Sequence, residues 1–457
     1  MQHILFSTRK SENHYKFILN PILLRLKKEN INIYKIMYPR KKKFFSLNFF
    51  TFFVKSFFYL KFFSKEKILN LNYRNCNIGR HIIATSYREY NSYFSIFVFF
   101  KNFLKNLYFS IRITDQAYEI SKKISVAYID HCGYLNGIYF RVFALKKKII
   151  FSNNFPRGIY FTDFRKKINT CFNQPEKQLQ FFRDNKINYI SYKKNKQHVK
   201  KIVSKPDLVV WMKKTKYSNI KKNFIDLKSF DRVVYAHSFI DAQLWFGNDG
   251  FLNVKDWLEF TLEKLSILPG KTLVKAHPNF FNKFADKYIE YDKKIFNNII
   301  KKYQSEKIFF INRSINNKYF LNNLKKNTII ISHHGTVLLE ALYFGFKCIS
   351  STATFWSPGL KLTNQWSSRE EYNNILKKNI NELFFPNKSD LACVSSQLYL
   401  SPITEWGKKN YIETILKNIG YAYRSKLLKP KLNLNIKLQL LNKIYREISG
   451  NILNISK

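Results

Sequence analysis

The stretch from residue 231 to 351 alternates short apolar runs with helical segments, and this alternation limits the fold more than any other feature. Apolar runs predict strands at residues 232–236, 272–276, 307–311, 328–331 and 347–351. Helical spacing of apolar residues predicts helices at 254–265, 282–303, 318–325 and 337–344. Strands separated by helices form a parallel sheet that is covered on both faces. This part of the chain is therefore predicted to be a doubly wound α/β domain.

The first half contains similar units, although its many phenylalanines blur the periodicity. Strands are predicted at residues 3–8 and 31–36 around a helix at 15–28, and again at 124–130 and 148–152 around a helical run that ends at residue 145. The lysine-rich segment 193–205 is closed by Pro206, and the interdomain connection is expected between about 193 and 230. The predicted fold class is α/β, with two Rossmann-like domains at 1–225 and 226–400 that face a cleft, and a helical tail at 401–457.

The net charge of +49 is typical of a nucleic-acid-binding protein, but its distribution favours another origin. Residues 1–120 hold 21 Lys and Arg against 6 Asp and Glu, whereas residues 231–300 hold nine of each. The excess of Lys, Asn, Ile, Phe and Tyr fits drift in an A/T-rich genome. A basic surface also attracts anionic lipid head groups. Codon drift, a membrane-facing surface and nucleic-acid binding therefore stay open, in that order of preference.

The sequence favours a cytoplasmic protein, with peripheral attachment to the inner face of the membrane as an added expectation. No apolar signal segment follows Met1. Residues 44–63 are rich in phenylalanine, but Lys55 and Lys61 interrupt them, so a buried or interfacial helix is favoured over a membrane span. The five cysteines include no C-x-x-C pair, which fits reduced thiols.

Polar residues whose side chains could bind a ligand or take part in a reaction follow three of the predicted strands, at the point where each strand ends. They are His237 and Ser238, then Lys275, His277 and Pro278, and finally Ser332, His333, Gly335 and Thr336. In an open α/β sheet, ligands bind in the crevice beyond the carboxyl ends of the strands. Three distant segments are therefore expected to meet at one edge of the sheet and form a binding site.

Each of these residues also suggests a role. Free N–H groups at the helix that Thr336 opens favour an anion such as phosphate, and Glu340 lies one turn later, where a carboxylate can bind ribose hydroxyls. Lys275 and His277 suit the neutralisation of a leaving phosphate. The competing interpretation is an ordinary strand–turn–helix junction with a capping threonine, a solvated glutamate and a surface histidine.

The general base is less well defined by the sequence. Asp241 follows the first strand of the second domain, and Asp249 lies in the glycine-bounded loop 247–250. Either can serve as a base or bind a sugar hydroxyl, although turn chemistry explains the loop nearly as well. Asp130 ends a strand in the first half and is the third candidate.

Several absences narrow the function classes. The sequence has no D-x-D motif, which disfavours manganese-dependent transferases, and it has neither a P-loop nor a G-x-G-x-x-G fingerprint. No spacing of Cys and His matches a zinc site. No metal and no cofactor are therefore expected.

Lys275-Ala-His-Pro278, followed by Ser332-His-His-Gly-Thr-Val-Leu-Leu-Glu-Ala341, resembles the bacterial glycosyltransferases of capsule and surface-polysaccharide biosynthesis, including Kdo transferases of the GT-B fold. The resemblance covers residues 231–352. It implies a nucleotide donor on the C-terminal domain and an acceptor on the N-terminal domain. His277 and Pro278 would match the HP pair of the family, Gly335 and Thr336 its turn, and Glu340 its nucleotide-contacting acid. The family often has Ser where this chain has Gly335.

The resulting hypothesis is a metal-independent glycosyltransferase that uses a nucleotide-activated sugar, with a CMP-linked donor favoured, and a glycan or lipid-linked acceptor. HP pairs also occur in sialyltransferases and CDP-glycerol phosphotransferases, so a CDP-glycerol-type polyol-phosphate transferase is one alternative. The other is a basic membrane- or nucleic-acid-binding protein without enzymatic activity. Such a binder predicts steep salt dependence and indifference to Glu340→Gln.

Overall fold

The computed structural model describes the following residues of the 457-residue chain: 3–7, 32–36, 54, 65–124, 126–128, 133–146, 149–153, 159–163, 192–204, 225–241, 243–245, 247–281, 287–354, 356 and 361–395. Two regions of α/β structure are seen, one on each side of residue 225. The predicted helical tail at 401–457, the predicted helix at 15–28 and nearly all of residues 44–63 lie outside the described residues.

The first region is built from strands and helices that alternate only in part. In chain order it contains β1 (His3–Ser7), β2 (Asn32–Ile36), α1 (Lys65–Leu69), β3 (Asn72–Tyr73), β4 (Cys76–Asn77), α2 (Gly79–Arg88), α3 (Ile96–Ser121), β5 (Val126–Tyr128), α4 (Gly137–Leu145), β6 (Ile149–Asn153), β7 (Ile159–Asp163) and α5 (Tyr192–Ser204).

The sheet of the first region has the strand order β2-β1-β5-β6-β7. Its first four strands pair in parallel, with Ile4 opposite both Ile33 and Val126. β7 pairs antiparallel with β6 as a hairpin at the edge. The order reverses between β1 and β5, so this sheet is doubly wound. The β-α-β unit predicted around the helical run that ends at residue 145 is confirmed as β5-α4-β6, whereas the helix of the unit predicted at the start of the chain lies outside the described residues.

α3 is the longest described helix of the first region, and it was not predicted from the sequence. Ser95 begins the helix, since its hydroxyl accepts a hydrogen bond from the Val98 N–H (3.3 Å). Buried side chains recur every three or four residues along it, including Phe99, Phe103 and Leu107. This stripe forms the first core together with α2 and α4. Among the helices that the structure describes, none is both long enough and apolar enough to cross a membrane.

The second region alternates strands and helices almost throughout. In chain order it contains β8 (Arg232–Tyr235), α6 (Val254–Ile267), β9 (Thr272–Lys275), α7 (Lys287–Tyr303), β10 (Ile308–Ile311), α8 (Asn317–Asn323), β11 (Ile329–Ser332), α9 (Val337–Tyr343), β12 (Cys348–Ser351), β13 (Asn364–Trp366), α10 (Arg369–Leu376) and α11 (Lys388–Ser395). All five predicted strands of this region are present, and β13 adds a sixth.

The second sheet is fully parallel, with the order β10-β9-β8-β11-β12-β13. Counted within the region, this is the 3-2-1-4-5-6 order of a Rossmann sheet. Side chains alternate between the two faces of the sheet along each strand, and both faces are covered. In β8, Val233 and Tyr235 belong to the core on one face, whereas Val234 belongs to the core on the other. The predicted α/β class with two doubly wound sheets is confirmed.

The lysine-rich segment before Pro206 forms α5, and this helix packs on the second region. Val199 and Val203 are buried in the same core as Leu338 and Leu342 of α9. Tyr192 stacks on Tyr343 with 5.1 Å between ring centroids. α5 therefore packs with the second sheet although it precedes the boundary predicted at residue 225, a boundary that stays a prediction.

Candidate active site

The residues singled out in the sequence meet at the point where the order of the second sheet reverses. β8 and β11 are neighbours in the sheet, but the chain leaves them in opposite directions. A crevice opens beyond the carboxyl ends of strands at such a switch point, and ligands of open α/β sheets bind there. The loop after β8, the loop after β9 and the turn after β11 all end at this edge.

Lys275, which is buried, and Glu340, which is half-buried, lie on one side of this edge, and the charge of each acts on the other. The Lys275 ammonium lies 5.0 Å from the centre of the Tyr235 ring and 5.5 Å from that of Phe320. The Asn317 amide donates a hydrogen bond to the Glu340 carboxylate (2.5 Å) and accepts one from the Tyr235 hydroxyl (2.7 Å). Aromatic rings thus hold the lysine, while an amide orients the acid.

Burial moves the pKa values of both Lys275 and Glu340 toward neutral pH. It lowers the pKa of Lys275 to about 8, although the nearby Glu340 carboxylate acts in the opposite direction. It raises the pKa of Glu340 to about 7, against the Asn317 hydrogen bond and the charge of Lys275. A cation that is this poorly solvated is stabilised further by any anion that enters the crevice.

Four histidines lie together on the other side of the edge. The ring centroids of His237 and His334 are 4.0 Å apart, and those of His237 and His277 are 5.4 Å apart. The Nδ1 atoms of His333 and His334 are within hydrogen-bonding distance at 2.6 Å. Burial lowers the pKa of His237, His277 and His334, and neighbouring cationic groups act in the same direction; at His237 the Ser238 carbonyl and Asp241 oppose this lowering. These three rings are therefore neutral near pH 7.

His333 is joined to a buried carboxylate. Its Nε2 lies 2.8 Å from Oδ2 of Asp249, which is 1% exposed. Asp249 also accepts hydrogen bonds from the Ser351 hydroxyl and the Phe251 N–H. Burial alone would raise the pKa of Asp249, but His333 and these donors outweigh it, so this pKa lies below its ordinary value. Asp249 is thus an ionised partner of His333 and not a solvent-facing base.

A second buried carboxylate fixes the loop after β8. Asp292 on α7 accepts hydrogen bonds from the Ser238 hydroxyl (2.5 Å) and from the Phe239 N–H (2.8 Å). Its burial raises the pKa of its carboxyl to about 7 despite these donors. The Ser238 side chain is therefore committed to positioning the loop that carries His237.

Two tyrosines of the first region contact the same loop. The Tyr93 hydroxyl donates to the Phe239 carbonyl (2.7 Å), and the Tyr134 hydroxyl donates to the Ile240 carbonyl (3.1 Å). The Tyr134 hydroxyl also lies 3.4 Å from Oδ1 of Asp241, whose side chain is exposed. Asp241 consequently lies where the two regions meet, which is compatible with the predicted role as base.

The turn after β11 places its side chains in different environments. The Ser332 hydroxyl is buried and donates to the Tyr235 carbonyl (3.3 Å). A Cβ on Gly335 would lie 3.0 Å from that hydroxyl oxygen, so the turn is tight. Thr336 precedes α9 and is half-buried. Because α9 has seven residues, its dipole adds little, and Lys275 is the stronger candidate for binding phosphate.

The structure thus brings together most of the side chains predicted to form the site. His237, Lys275, His277, His334 and Glu340 act on one another electrostatically at this edge. Asp130 lies outside the described residues. Within the described part of the chain, no cluster of His, Cys, Asp or Glu has the arrangement of a metal site.

Three polar residues of the site were not predicted. Asn317 begins α8, Asp292 lies inside α7, and Ser351 ends β12. Ser351 ends a strand of the same sheet, and a polar residue at a strand end is the pattern that identified the other residues of the site. Asn317 and Asp292 carry no such signal, because their importance depends on packing between helices and strand ends.

No protein-family model and no curated protein matches this chain. Among solved structures, the beta Kdo 2,4 transferase KpsC of Thermosulfurimonas dismutans has a TM-score of 0.34 and 12% identity, covering 60% of this chain and 80% of its own. The UDP-GlcNAc 2-epimerase of Methanocaldococcus jannaschii, in complex with UDP-GlcNAc and UDP, has a TM-score of 0.30 and 14% identity, covering 87% and 99%. An α,α-trehalose-phosphate synthase (UDP-forming) of Burkholderia vietnamiensis has a TM-score of 0.26 and 8% identity, covering 99% and 100%. These TM-scores are too low to support an inference, and the assignment of the fold depends on the strand orders of the two sheets.

Proposed function

We propose that this protein is a glycosyltransferase of GT-B architecture that takes a sugar from a nucleotide-activated donor. The observation that carries the proposal is the meeting of a buried lysine, a half-buried glutamate and several neutral histidines at the switch point of a 3-2-1-4-5-6 sheet. Perturbed pKa values clustered in a crevice are typical of sites that bind and transform charged ligands.

The donor phosphate is proposed to bind beside Lys275. The ammonium is held by Tyr235 and Phe320, so little side-chain freedom is lost when it pairs with an anion. As the bond between sugar and phosphate breaks, negative charge grows on the leaving nucleotide. Lys275 would stabilise that charge, and His277 would supply a second polar contact from the neighbouring loop. This step needs no metal.

The nucleoside is proposed to lie along α9. Glu340 is half-buried and its carboxylate is oriented by Asn317, which suits hydrogen bonding to the two hydroxyls of a ribose. Thr336, one turn earlier, would contact a phosphate oxygen. The acceptor, a glycan or a lipid-linked glycan, would approach from the first region, where Asp241 is the candidate base in the described residues.

A screen of nucleotides followed by a donor-release assay tests the proposal. CMP, CDP and UDP are compared by thermal shift, because a ligand that binds only the folded state raises the unfolding temperature. Release of nucleotide from a CMP-sugar, a UDP-sugar and CDP-glycerol is then measured with and without EDTA. We expect stabilisation by CMP and release from the CMP-sugar that EDTA does not reduce.

Preferential release of CMP from CDP-glycerol would instead identify a polyol-phosphate transferase. Absence of both stabilisation and release for every nucleotide would refute the proposal. Lys271→Met is a useful control throughout, because Lys271 is exposed just before β9, four residues before Lys275.

A further inference from the structure

The backbone fixes which ring nitrogen of His237 carries a hydrogen. Nδ1 of His237 lies 3.1 Å from the carbonyl oxygen of Ser238. A carbonyl oxygen can only accept, so Nδ1 must be the donor in this bond. A neutral imidazole carries a single N–H group, and the lone pair of His237 is therefore on Nε2. In its neutral form His237 is a proton acceptor at Nε2.

The backbone holds His277 in the opposite tautomer. The Asn279 N–H donates a hydrogen bond to Nδ1 of His277 (3.3 Å). Because Nδ1 of His277 is the acceptor in this bond, the hydrogen of the neutral ring is on Nε2. In its neutral form His277 is thus a hydrogen-bond donor at Nε2. The two neighbouring strand ends therefore carry one histidine of each kind.

Both rings remain partly accessible at the edge of the sheet. His237 and His277 are half-buried, whereas His334, which lies beside them, is buried. The ring centroids of His237 and His277 are 5.4 Å apart. Within the described part of the chain, the hydrogen bonds of these two rings are made through Nδ1. The two Nε2 atoms, one accepting and one donating, are the atoms left for a ligand.

His237 lies beside the border between the two regions. The loop that follows it is bonded to the first region, since Tyr93 donates to the Phe239 carbonyl and Tyr134 to the Ile240 carbonyl. Asp241 lies at the same border, and its charge favours the protonated form of the His237 ring. A hydroxyl that enters from the first region therefore approaches a proton acceptor that has a carboxylate close by.

We propose that Nε2 of His237 is the general base of the transfer reaction, and that Asp241 supports it as a counter-ion instead of acting as the base. The proposal rests on the function proposed above, which places the leaving nucleotide beside Lys275 and His277 and brings the acceptor from the first region. The loop after β9 then supplies a donor to the leaving group, and the loop after β8 supplies an acceptor to the incoming hydroxyl. Opposite roles for two groups of the same type are typical of acid–base pairs whose surroundings differ.

The proposed step balances in atoms and electrons. The acceptor hydroxyl gives its proton to Nε2 of His237, and its oxygen uses the released electron pair to form a bond with the anomeric carbon. The bond between that carbon and the phosphate oxygen breaks, and its electron pair leaves with the nucleotide. The Nε2–H group of His277 donates a hydrogen bond to the leaving oxygen and keeps its proton. His237 becomes an imidazolium beside the Asp241 carboxylate and then loses the added proton to water.

Several groups around His237 also titrate, so the test must not depend on a pH profile alone. The rings of His277 and His334 face it, and the charges of Asp241 and His333 act on it. Farther groups act on its neighbours: Lys275 on His277, Glu340 on Lys275, and Asp292 on the loop that carries His237. Replacing the lost base by a small molecule in solution separates His237 from all of these groups.

The first experiment measures nucleotide release by the full chain from a CMP-sugar and a UDP-sugar, with glycerol as a small hydroxyl acceptor. His237→Asn removes Nε2 but keeps an amide N–H that can donate to the Ser238 carbonyl in place of Nδ1. We expect this variant to unfold at the wild-type temperature, to bind nucleotide as the wild type does, and to release it at least about a hundredfold more slowly. Asp241→Asn should slow release less, because only a counter-ion is lost.

The second experiment restores the base to a variant that lacks the ring. His237→Ala leaves space for a small molecule, and added imidazole should raise its rate of release at least about tenfold. The matched reagent is 1,2,4-triazole, which has nearly the same size but is a much weaker base, and it should have little effect. Imidazole should not accelerate the wild type or Lys271→Met, in which the substituted residue is exposed.

The outcomes separate this inference from the proposed function. Release by His237→Asn within about tenfold of the wild type would overturn the assignment of the base alone. The same conclusion would follow from a loss of nucleotide binding as large as the loss of release, which would make His237 a donor-binding residue. It would also follow if imidazole failed to accelerate His237→Ala, or accelerated it no more than triazole did. Absence of nucleotide release by the wild type would overturn both the base and the proposed function.

Discussion

Replacing Lys275 by methionine should make the protein more stable and nearly inactive, and this combination is the sharpest test of the site. Burial lowers the pKa of Lys275 from 10.5 to about 8. Since one pKa unit corresponds to about 1.4 kcal/mol, keeping the ammonium charged at pH 7 costs the folded state about 3 kcal/mol. Methionine has a similar length and no charge, and it can keep the contacts with Tyr235 and Phe320.

Part of this gain is lost, because Glu340 then has no neighbouring cation and must be protonated to stay buried. We therefore expect Lys275→Met to raise the free energy of unfolding by about 1–2 kcal/mol. The loss of a charge that stabilises the leaving phosphate should lower turnover by about 10²–10³.

Urea unfolding at pH 7 and pH 10 measures the first effect. The stability penalty is fully present below the folded-state pKa of about 8 and disappears as pH rises toward 10.5, so the difference between variant and wild type should shrink at pH 10. Donor release measures the second effect. Lys271→Met, at an exposed position, should change neither quantity by a comparable amount. A less stable Lys275→Met variant with normal turnover would show that Lys275 is structural and that the site is assigned wrongly.

Two further substitutions address the other parts of the site. His277→Ala should lower turnover at least about a hundredfold while thermal unfolding still shows a folded protein, because a contact to the leaving group is lost; turnover close to that of the wild type would exclude His277 from the reaction. Glu340→Gln should weaken nucleotide binding at least about tenfold in calorimetry, since an amide accepts fewer hydrogen bonds from ribose than a carboxylate does. The same variant should change the pH dependence of stability: the folded-state pKa of Glu340 is raised to about 7, so the wild type loses stability as pH rises from 4.5 to 7, and this loss should be smaller in the variant by about 1–3 kcal/mol in urea unfolding at pH 5 and pH 7. An identical pH dependence in both proteins would contradict the burial of this carboxylate.

The fold of the second region was accessible from the sequence because its strands are short, apolar and followed by polar turns. The five predicted strands and the four helices between them agree with the structure to within a few residues where the structure describes them. Asn253 precedes α6, and its side chain accepts a hydrogen bond from the Asp256 N–H (2.8 Å). β13 was missed because it is a three-residue edge strand with two polar residues, Asn364 and Gln365.

The first region was predicted less completely, and the reason is physical. α3 contains phenylalanine on both buried and exposed faces, since Phe97 is 83% exposed while Phe103 is fully buried. Hydrophobic periodicity therefore carries little signal along this helix. The antiparallel hairpin of β6 and β7 was also not predicted, because nothing in the sequence distinguishes an edge strand that reverses direction from one that continues the parallel order.

The edge of the sheet that forms the site was predicted by a rule of topology, whereas its internal connections were not. His333 was expected to contact the donor, yet its Nε2 faces Asp249, 84 residues earlier in the chain. No local pattern pairs a glycine-loop carboxylate with a histidine on another strand. Such pairings depend on the register and packing of the folded sheet, so the sequence does not predict this part of the site.

The loop after β8 carries His237 and is bonded at three points, by Asp292 from below and by Tyr93 and Tyr134 from the first region. A movement of the first region relative to the second would have to pivot on these bonds or break them. The loop would then act as the hinge of any movement between the two regions. It would move less than the parts of the two regions that lie farther from it. In the proposed reaction, an acceptor that pulled the regions together would leave the proposed contacts to the leaving group in place.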